Sequence, residues 1–267
     1  MLDLSFVLAT ALLGTVVALR LARWLLGPPL RRWRRIVLAA GAALMVSVCA
    51  AWRISKATAF QLLGDPMVRV DTAQPVVALT FDDGPSASDG PQVLDILRGE
   101  GIRATFFVVG SELARLRELG RDIIAAGHEL GNHSYTHQRM LGQSLDVMRR
   151  EIEQTDDEIR RAGGRGPIVF RPPYGKRLLA LPWLLRAMDR RAVLWDVAPD
   201  SIDPDVAANA IVAHVLADVR PGSIILLHVM APSRATSRAA LPGLIHGLKQ
   251  RGYRFVTVSE LLAIGAS

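Results

Sequence analysis

The amino-acid sequence predicts an α/β fold, a small barrel of parallel strands covered by helices, preceded by an N-terminal transmembrane helical segment. Three observations predict it. Short runs of β-forming residues alternate with helical patterns in seven units over about 190 residues, as in barrels of repeated βα units. Runs such as Ile224–Leu227 are apolar at consecutive positions, which is typical of strands buried on both faces. Two long apolar runs precede this pattern.

Composition and charge narrow the class of protein. Of 267 residues, 50% are hydrophobic and 21% are charged, with one cysteine, which excludes disordered, collagen-like and disulfide-rich chains. The length allows one domain with an appendage, or two small domains. The net charge of +7 lies in the first 59 residues, because the rest carry 24 basic and 24 acidic side chains. A neutral body excludes a basic surface for nucleic acid.

Residues 1–55 are predicted to be a membrane anchor with two transmembrane helices. The first apolar run covers Leu2–Leu19 and extends to Leu26 with its arginines snorkelling, and the second covers Ile36–Trp52. Tryptophans stand at the ends of these runs, where indole rings prefer the headgroup layer. The cysteine, Cys49, lies inside the second run, so an oxidising compartment is tolerated without a disulfide.

Arginine placement predicts the topology of this anchor. A short loop at residues 31–35 carries four arginines, whereas the extreme N-terminus carries none. The positive-inside rule therefore places the loop in the cytoplasm and the body on the periplasmic or outer face of the inner (cell) membrane. A cleaved signal peptide is the alternative, but its cationic n-region is missing and there are two apolar runs.

Residues 56–74 are predicted to be a connector, and residues 75–267 the barrel domain. Its strands and helices are expected to alternate. The predicted strands are 76–81, 104–109, 128–131, 168–171, 192–197, 223–229 and 253–256, and the predicted helices are 92–99, 111–126, 144–162, 178–190, 205–219, 241–251 and 258–264.

Polar side chains follow most of the predicted strands. In parallel α/β folds the chemistry lies at the carboxyl ends of the strands. The sequence therefore predicts one site at that rim, with Asp82, Asp83, His133, Arg171, Asp196 and His228 as its members.

Two histidines four residues apart predict a metal site. On a helical turn His133 and His137 point toward one spot, and an aspartate from another strand end completes an open set of ligands. Without a thiolate, the set favours zinc, with cobalt or manganese as alternatives. Asp82 and Asp83 are chain neighbours and point differently, so one can bind the metal while the other handles a proton.

Two further strand ends carry candidate residues. Arg171 opens the run Arg171-Pro172-Pro173-Tyr174, whose paired prolines favour an extended backbone that holds the guanidinium for a carboxylate. A surface arginine is the alternative. His228 follows the most apolar strand, where it is either a buried structural histidine or an acid catalyst with a pKa tuned by burial.

Four motifs, taken together, resemble the polysaccharide deacetylase family, the NodB-homology carbohydrate esterases of family 4. They occur in family order, and the resemblance covers roughly residues 74–262. It implies a distorted (β/α)7 barrel and metal-dependent removal of N-acetyl groups from amino sugars. The motifs are Thr80-Phe81-Asp82-Asp83-Gly84, His133-Ser134-Tyr135-Thr136-His137, Arg171-Pro172-Pro173-Tyr174 and Ile224-Ile225-Leu226-Leu227-His228.

The resemblance also implies a role for each matching residue. Asp83, His133 and His137 would bind the metal. Asp82 would be the base, His228 the acid, and Arg171 would orient Asp82. The implied substrate-binding residues are Tyr174, Leu226, Pro172 and Trp195, with Leu226 forming part of a pocket for the acetyl methyl group.

One segment departs from the family pattern. The chain reads Trp195-Asp196-Val197-Ala198-Pro199-Asp200-Ser201-Ile202-Asp203, with Ala198 where the resemblance aligns the aspartate that orients the catalytic histidine. Either Asp196 or Asp200 takes over that role, or His228 has a different pKa and substrate set. Val229 also stands where the family often has aspartate. These departures bear on sugar specificity more than on the metal site.

The predicted function is that of a hydrolase acting on linear amide C–N bonds. It releases acetate from amino sugars of an extracytoplasmic polysaccharide such as peptidoglycan or chitin, and it has no nucleic-acid partner. Two alternatives stay open. One is a deacetylase or deformylase of a lipid-linked sugar, and the other is a catalytically inactive, membrane-tethered glycan-binding module.

Overall fold

A parallel sheet forms the centre of the domain. The computed structural model describes Val16, Arg20 and residues 29–56, 65–201 and 206–265. Within them the sheet runs in the order β3-β2-β1-β4, and β5 pairs with the amino-terminal end of β1. Every pairing in it is parallel. The strands are β1 (Val76–Gly84), β2 (Thr105–Val108), β3 (Glu129–Asn132), β4 (Ile224–Leu227) and β5 (Arg254–Phe255).

Helices connect and cover these strands in the predicted order. The predicted helix 111–126 is two helices, because Leu116 between them has a non-helical backbone with φ −118° and ψ 42°. The predicted helix 241–251 begins earlier, at Ala235. The helices are α1 (Pro29–Lys56), α2 (Gly90–Gly99), α3 (Gly110–Arg115), α4 (Arg117–Ala125), α5 (Leu145–Arg161), α6 (Ala180–Ala187), α7 (Ala208–Asp218), α8 (Ala235–Gln250) and α9 (Val258–Gly265).

The central strand β1 is buried on both faces. Val77, Leu79 and Phe81 pack in a large cluster that joins the sheet to α2, α7 and α8. Val76 and Ala78, which alternate with them, pack in a second cluster. Fully burying each larger apolar side chain stabilises the fold by about 1.5–3 kcal/mol. The prediction of consecutive apolar positions in two-sided strands is therefore confirmed.

Two predicted strands, 168–171 and 192–197, are wrong as regular strands, and we call these two segments the seam. Phe170 forms single bridges with Asn132 and Ala192, and Val197 forms one with Ile225. Pro172 follows the first segment and has no N–H to extend a ladder. The bridges link β3 to β4 and so close a circuit of parallel pairings through β1 and β2. The described residues thus contain five regular strands instead of seven.

The helix α1 is a candidate membrane span by length and composition. Its apolar stretch Arg32–Arg53 has 22 residues. The predicted arginine-rich loop at residues 31–35 is wrong, because these arginines lie in the first turns of α1, which begins at Pro29. Proline favours the first position of a helix. The other predicted membrane helix, residues 2–26, lies outside the described residues except for Val16 and Arg20.

Part of the predicted connector 56–74 folds with the domain. Met67 bridges Val193, and Arg69 bridges Ser223. Val70 is buried, and its amide donates to the carbonyl of Gly222. Gly222 has φ +80°, and a Cβ there would lie 1.8 Å from the Val70 oxygen, so only glycine allows this close approach. Residues 67–70 therefore contribute to the barrel itself.

Candidate active site

The two aspartates at the carboxyl end of β1 face different surroundings. Asp82 is buried, whereas the side chain of Asp83 is 38% exposed. Asp83 has φ 68°, a left-handed conformation that costs a non-glycine residue about 1–3 kcal/mol. Ser134, His137 and Tyr174 share this feature. Four of the five non-glycine residues with positive φ in the described chain therefore surround one site, where such strain is typical of function.

The two histidines converge on Asp83, but not through a helical turn. The Asp83 Oδ1 atom lies 3.6 Å from His133 Nε2 and 3.1 Å from His137 Nε2. The three donor atoms all lie within 4.8 Å of one another. The predicted helical turn at 133–137 is wrong, because Ser134 and His137 have positive φ and the segment forms a bend. That bend, instead of helical spacing, brings the two imidazoles together.

Two side chains that sequence reasoning missed hold this bend. Asn132 Oδ1 accepts from the Ser134 amide at 2.8 Å, and Asn132 Nδ2 donates to Asp156 at 2.7 Å. The Glu151 carboxylate on α5 accepts from the amides of residues 135 and 136. Only the position of Asn132 directly before His133 could have suggested it, and Glu151 stands in no motif. Both residues support the histidines without facing the site as ligands.

The donor set fits a divalent cation. The carbonyl oxygen of Arg171 lies 2.8 Å from His133 Nδ1 and can only accept, so Nδ1 carries the hydrogen and Nε2 keeps its lone pair toward Asp83. Burial and the neighbouring His133 lower the pKa of His137 against the opposing carboxylates, which keeps this imidazole neutral as a ligand must be. Two imidazoles and one carboxylate also match an open catalytic site.

Arg171 is buried, so the alternative of a surface arginine is wrong. Its guanidinium donates to Asp82 Oδ1 at 2.6 Å and to Thr80 Oγ1 at 2.9 Å. It also donates to the backbone carbonyls of Val193 and Leu194 in the seam. Burial alone would raise the pKa of Asp82, but the charges of Arg171 and the nearby histidines, with the Arg171 hydrogen bond, outweigh it and lower that pKa. Asp82 therefore stays ionised.

His228 is held by Asp200. The His228 Nδ1 atom lies 3.1 Å from Asp200 Oδ1, and the His228 amide donates to Oδ2 at 2.8 Å. Ser237 Oγ also donates to Oδ2, at 2.7 Å. Burial alone would lower the pKa of His228, but the hydrogen bond to Asp200 and the surrounding carboxylates outweigh it and raise that pKa. Its Nε2 is then protonated over a wider pH range.

Asp196 does not belong to this site. Its carboxylate accepts from Ser223 Oγ at 2.8 Å and from the Ile224 amide at 2.9 Å. These partners lie at the amino end of β4, so the prediction that Asp196 lies on the carboxyl rim is wrong. Of the two aspartates considered as the partner of His228, the structure places Asp200 there.

The predicted substrate-binding residues occupy different surroundings. The Tyr174 ring is 53% exposed and its centroid lies 4.8 Å from that of His137. Pro172 and Leu226 are buried, and Leu226 pairs in register with Thr80. Trp195 is half-buried, and the centre of its ring lies 5.5 Å from the Arg171 guanidinium. The extended backbone predicted for both prolines holds at Pro172 only, since a 3-10 turn, Pro173–Gly175, follows it.

Comparisons with known proteins identify the family. A family model described as polysaccharide deacetylase matches residues 69–193. A peptidoglycan-N-acetylglucosamine deacetylase of Bacillus cereus is 36% identical over 194 residues, which cover 72% of this chain and 91% of that protein. The chain belongs to the polysaccharide deacetylase family. The predicted family is thereby confirmed.

Other polysaccharide deacetylases extend the comparison. The peptidoglycan-N-acetylmuramic acid deacetylase PdaC of Bacillus subtilis is 37% identical over 193 residues, covering 72% of this chain but 40% of that longer protein. The crystal structure of the Bc1960 peptidoglycan N-acetylglucosamine deacetylase is 33% identical with a TM-score of 0.69, covering 73% of this chain and 91% of the other. The α/β NodB-like fold with a parallel sheet and the hydrolase class acting on amide bonds are confirmed.

Proposed function

We propose that this polysaccharide deacetylase is a metal-dependent, membrane-anchored enzyme of the cell envelope. It removes N-acetyl groups from amino sugars of an extracytoplasmic polysaccharide, with peptidoglycan as the first substrate to consider. The observation that carries the proposal is the set of three donor atoms within 4.8 Å beside a carboxylate that Arg171 holds separately. The substrate follows from the peptidoglycan named in the relatives' descriptions.

Asp83, His133 and His137 are the residues that would hold the cation. We assign zinc first, with cobalt or manganese as alternatives, because the donors are nitrogen and carboxylate oxygen without thiolate. A bound divalent cation supplies a Lewis acid that makes water more acidic and polarises the substrate carbonyl. The strained backbone of Asp83 and His137 fixes two of these donors in advance.

Asp82 is positioned to accept a proton. Arg171 holds its Oδ1, and its Oδ2 lies 3.5 Å from His133 Nε2, on the side of the three donors. The ionised carboxylate therefore takes the proton from the attacking water, which forms the new bond to the acetyl carbon. The Arg171 guanidinium does not give up its proton during the reaction, so Arg171 acts by orienting Asp82 and by its positive charge.

His228 is positioned to donate a proton. Its hydrogen bond to Asp200 holds the ring and stabilises the protonated form. Breaking the amide C–N bond requires a proton on the departing nitrogen, and His228 supplies it. The products are acetate and a free amine. Because Asp200 supplies His228 with the carboxylate that Ala198 cannot provide, the constellation also argues against the inactive glycan-binding alternative.

The membrane attachment is proposed from α1. The apolar stretch Arg32–Arg53 suits a span, and arginines gather at its amino-terminal end. The positive-inside bias then puts the domain, which follows α1, on the periplasmic or outer side. That side is where relatives named for peptidoglycan would meet their polymer.

Replacing Asp200 should move the pH dependence of the reaction. Asp200→Asn removes a negative charge beside His228 and so lowers the pKa of His228. The protonated form is then lost at a lower pH, and the alkaline limb of the kcat/KM profile should shift toward acid. The control is Asp196→Asn, which removes a half-buried carboxylate that does not contact His228. An unmoved alkaline limb in Asp200→Asn would contradict the acid role of His228.

Removing the metal should abolish activity reversibly. Chelation of the purified protein should stop acetate release from N-acetylglucosamine oligomers, and zinc should restore it. His137→Ala should lower the bound metal measured by elemental analysis, while His214→Ala, a histidine on the exposed face of α7, should leave it unchanged. Full activity in metal-free protein would refute the proposal. Parallel assays on peptidoglycan, chitin and lipid-linked amino sugars rank the substrates.

A further inference from the structure

The large apolar side chains exposed on the body are clustered in one region. Within residues 65–201 and 206–265, those exposed by at least 36% are confined to two segments, 141–145 and 174–183. Arg139, two residues before the first segment, has its guanidinium 4.9 Å from the centre of the Tyr174 ring, which brings the two segments into one region. Large apolar side chains exposed in one region mark an interaction surface. We call it the apolar rim: Leu141, Leu145, Tyr174, Leu179 and Trp183.

The helix α6 presents two unlike faces in this region. Leu181, Leu184 and Leu185 are buried in the cluster shared with α5. Trp183 on the opposite face is 53% exposed, and Leu179, the residue directly before α6, is 49% exposed. The inner apolar face of α6 already packs against the core. The exposed side chains of Leu179 and Trp183 are therefore not needed to stabilise the fold.

Basic side chains outnumber acidic ones in the same region, and the exposed Asp146 and Asp189 stand at its edges. Residues 133–145 and 171–188 contain no aspartate or glutamate, although residues 60–267 carry equal numbers of acids and bases. Arg139 and Arg186 are exposed beside the apolar side chains. Exposed Leu and Trp flanked by cations are the composition of surfaces that lie in the headgroup layer of anionic membranes.

The apolar rim also lies at the end of the candidate span. Lys176 Nζ is 3.8 Å from the ring of Trp52, and Trp52 is the last residue but one of the stretch Arg32–Arg53. A tryptophan at the end of a span lies at the membrane–water interface. The loop that joins Tyr174 to Leu179 therefore begins where the bilayer surface would be.

We propose that the apolar rim docks on the surface of the bilayer that holds α1. Leu179 and Trp183 enter the boundary between headgroups and acyl chains, and Arg139 and Arg186 bind anionic headgroups. The inference rests on the proposed membrane attachment. Since the Tyr174 ring is in contact with His137, docking turns the site toward the membrane and brings glycan at the bilayer surface to it.

The test measures the depth of single labelled cysteines in the full-length chain. The chain has one natural cysteine, Cys49, so spin labels are placed on Leu179→Cys and Trp183→Cys in a Cys49→Ser background, in nanodiscs of phosphatidylcholine and phosphatidylglycerol. Both labels should be more accessible to oxygen than to a water-soluble nickel chelate. The control is Asp95→Cys, an exposed position on α2, which should show the reverse. Nickel accessibility at 179 and 183 equal to that at 95 would overturn docking.

A label on natural Cys49 separates this inference from the proposed attachment. If the label on Cys49 lies in lipid and the labels at 179 and 183 lie in water, docking alone is overturned. Cys49 in water overturns both the span and the docking that depends on it. The exposed aromatic rings of the apolar rim could instead stack on sugar. Labels at 179 and 183 that are in water, and that become immobilised on adding an N-acetylglucosamine oligomer, would assign the surface to glycan and overturn docking.

Discussion

Asp82→Asn is expected to lower the rate of acetate release by about 10²–10⁴-fold, which is the usual contribution of a positioned proton-transfer group. Asparagine keeps the volume and one oxygen for Arg171, but its amide cannot accept the proton from water. Asp82 and Arg171 are both buried, so neither solvent nor Arg171 replaces Asp82 as the base. The measurement is acetate release from N-acetylglucosamine oligomers by the purified full-length chain.

The amount of metal bound to Asp82→Asn distinguishes between two explanations of its lower rate. Asp82→Asn should keep the metal of the wild type, because Asp83, His133 and His137 remain. Asp71→Asn serves as the matched control, since this carboxylate is exposed on the surface and pairs with Arg69. An unchanged rate in Asp82→Asn would show that another group is the base. Loss of both rate and metal would show that Asp82 is a ligand.

Arg171→Met is expected to destabilise the fold by about 3–5 kcal/mol, the usual cost of removing one partner of a buried ion pair. The substitution leaves the Asp82 carboxylate buried without its cation and removes the donors to Thr80 and two carbonyls of the seam. The free energy of unfolding is measured by urea titration of the full-length chain in detergent, followed by near-ultraviolet circular dichroism.

Two comparison variants isolate the effect of burial. Arg98→Met removes an exposed arginine paired with Asp95 and should cost about 0–1 kcal/mol. The double variant Arg171→Met/Asp82→Asn should recover part of the lost stability, because no charge is then left unpaired. A cost of Arg171→Met no greater than that of Arg98→Met would contradict the account of Asp82 as a buried, arginine-held carboxylate.

The sequence predicts the regular part of the fold better than its irregular part. The strands β1 and β4 are apolar at consecutive positions, and burial on both faces follows directly from that pattern. The seam has similar composition, but Pro172 and the side-chain donors of Arg171 compete with a ladder there. Local pattern does not show which carbonyls of the second seam segment the Arg171 guanidinium of the first segment binds.

The candidate site, like the fold, is predicted only in part from the sequence. Convergence of His133 and His137 with one of two neighbouring aspartates is predicted from spacing and strand ends, although a bend produces it and not a helix; only the family resemblance selects Asp83. Asp200 is one of two carboxylates that the sequence offers for His228, and only the fold distinguishes them. Glu151 was missed because it binds backbone amides, and any sequence could supply those.

The irregular pairing of the seam has a consequence for protein engineering. A well-formed ladder would occupy the carbonyls of Val193 and Leu194, and the socket that receives Arg171 would disappear. Substitutions that place stronger β-formers in the seam should therefore make the strand pairing more regular but disturb the position of Arg171 in the catalytic site. A designer who wishes to stabilise this scaffold should spare the seam and work on the helices.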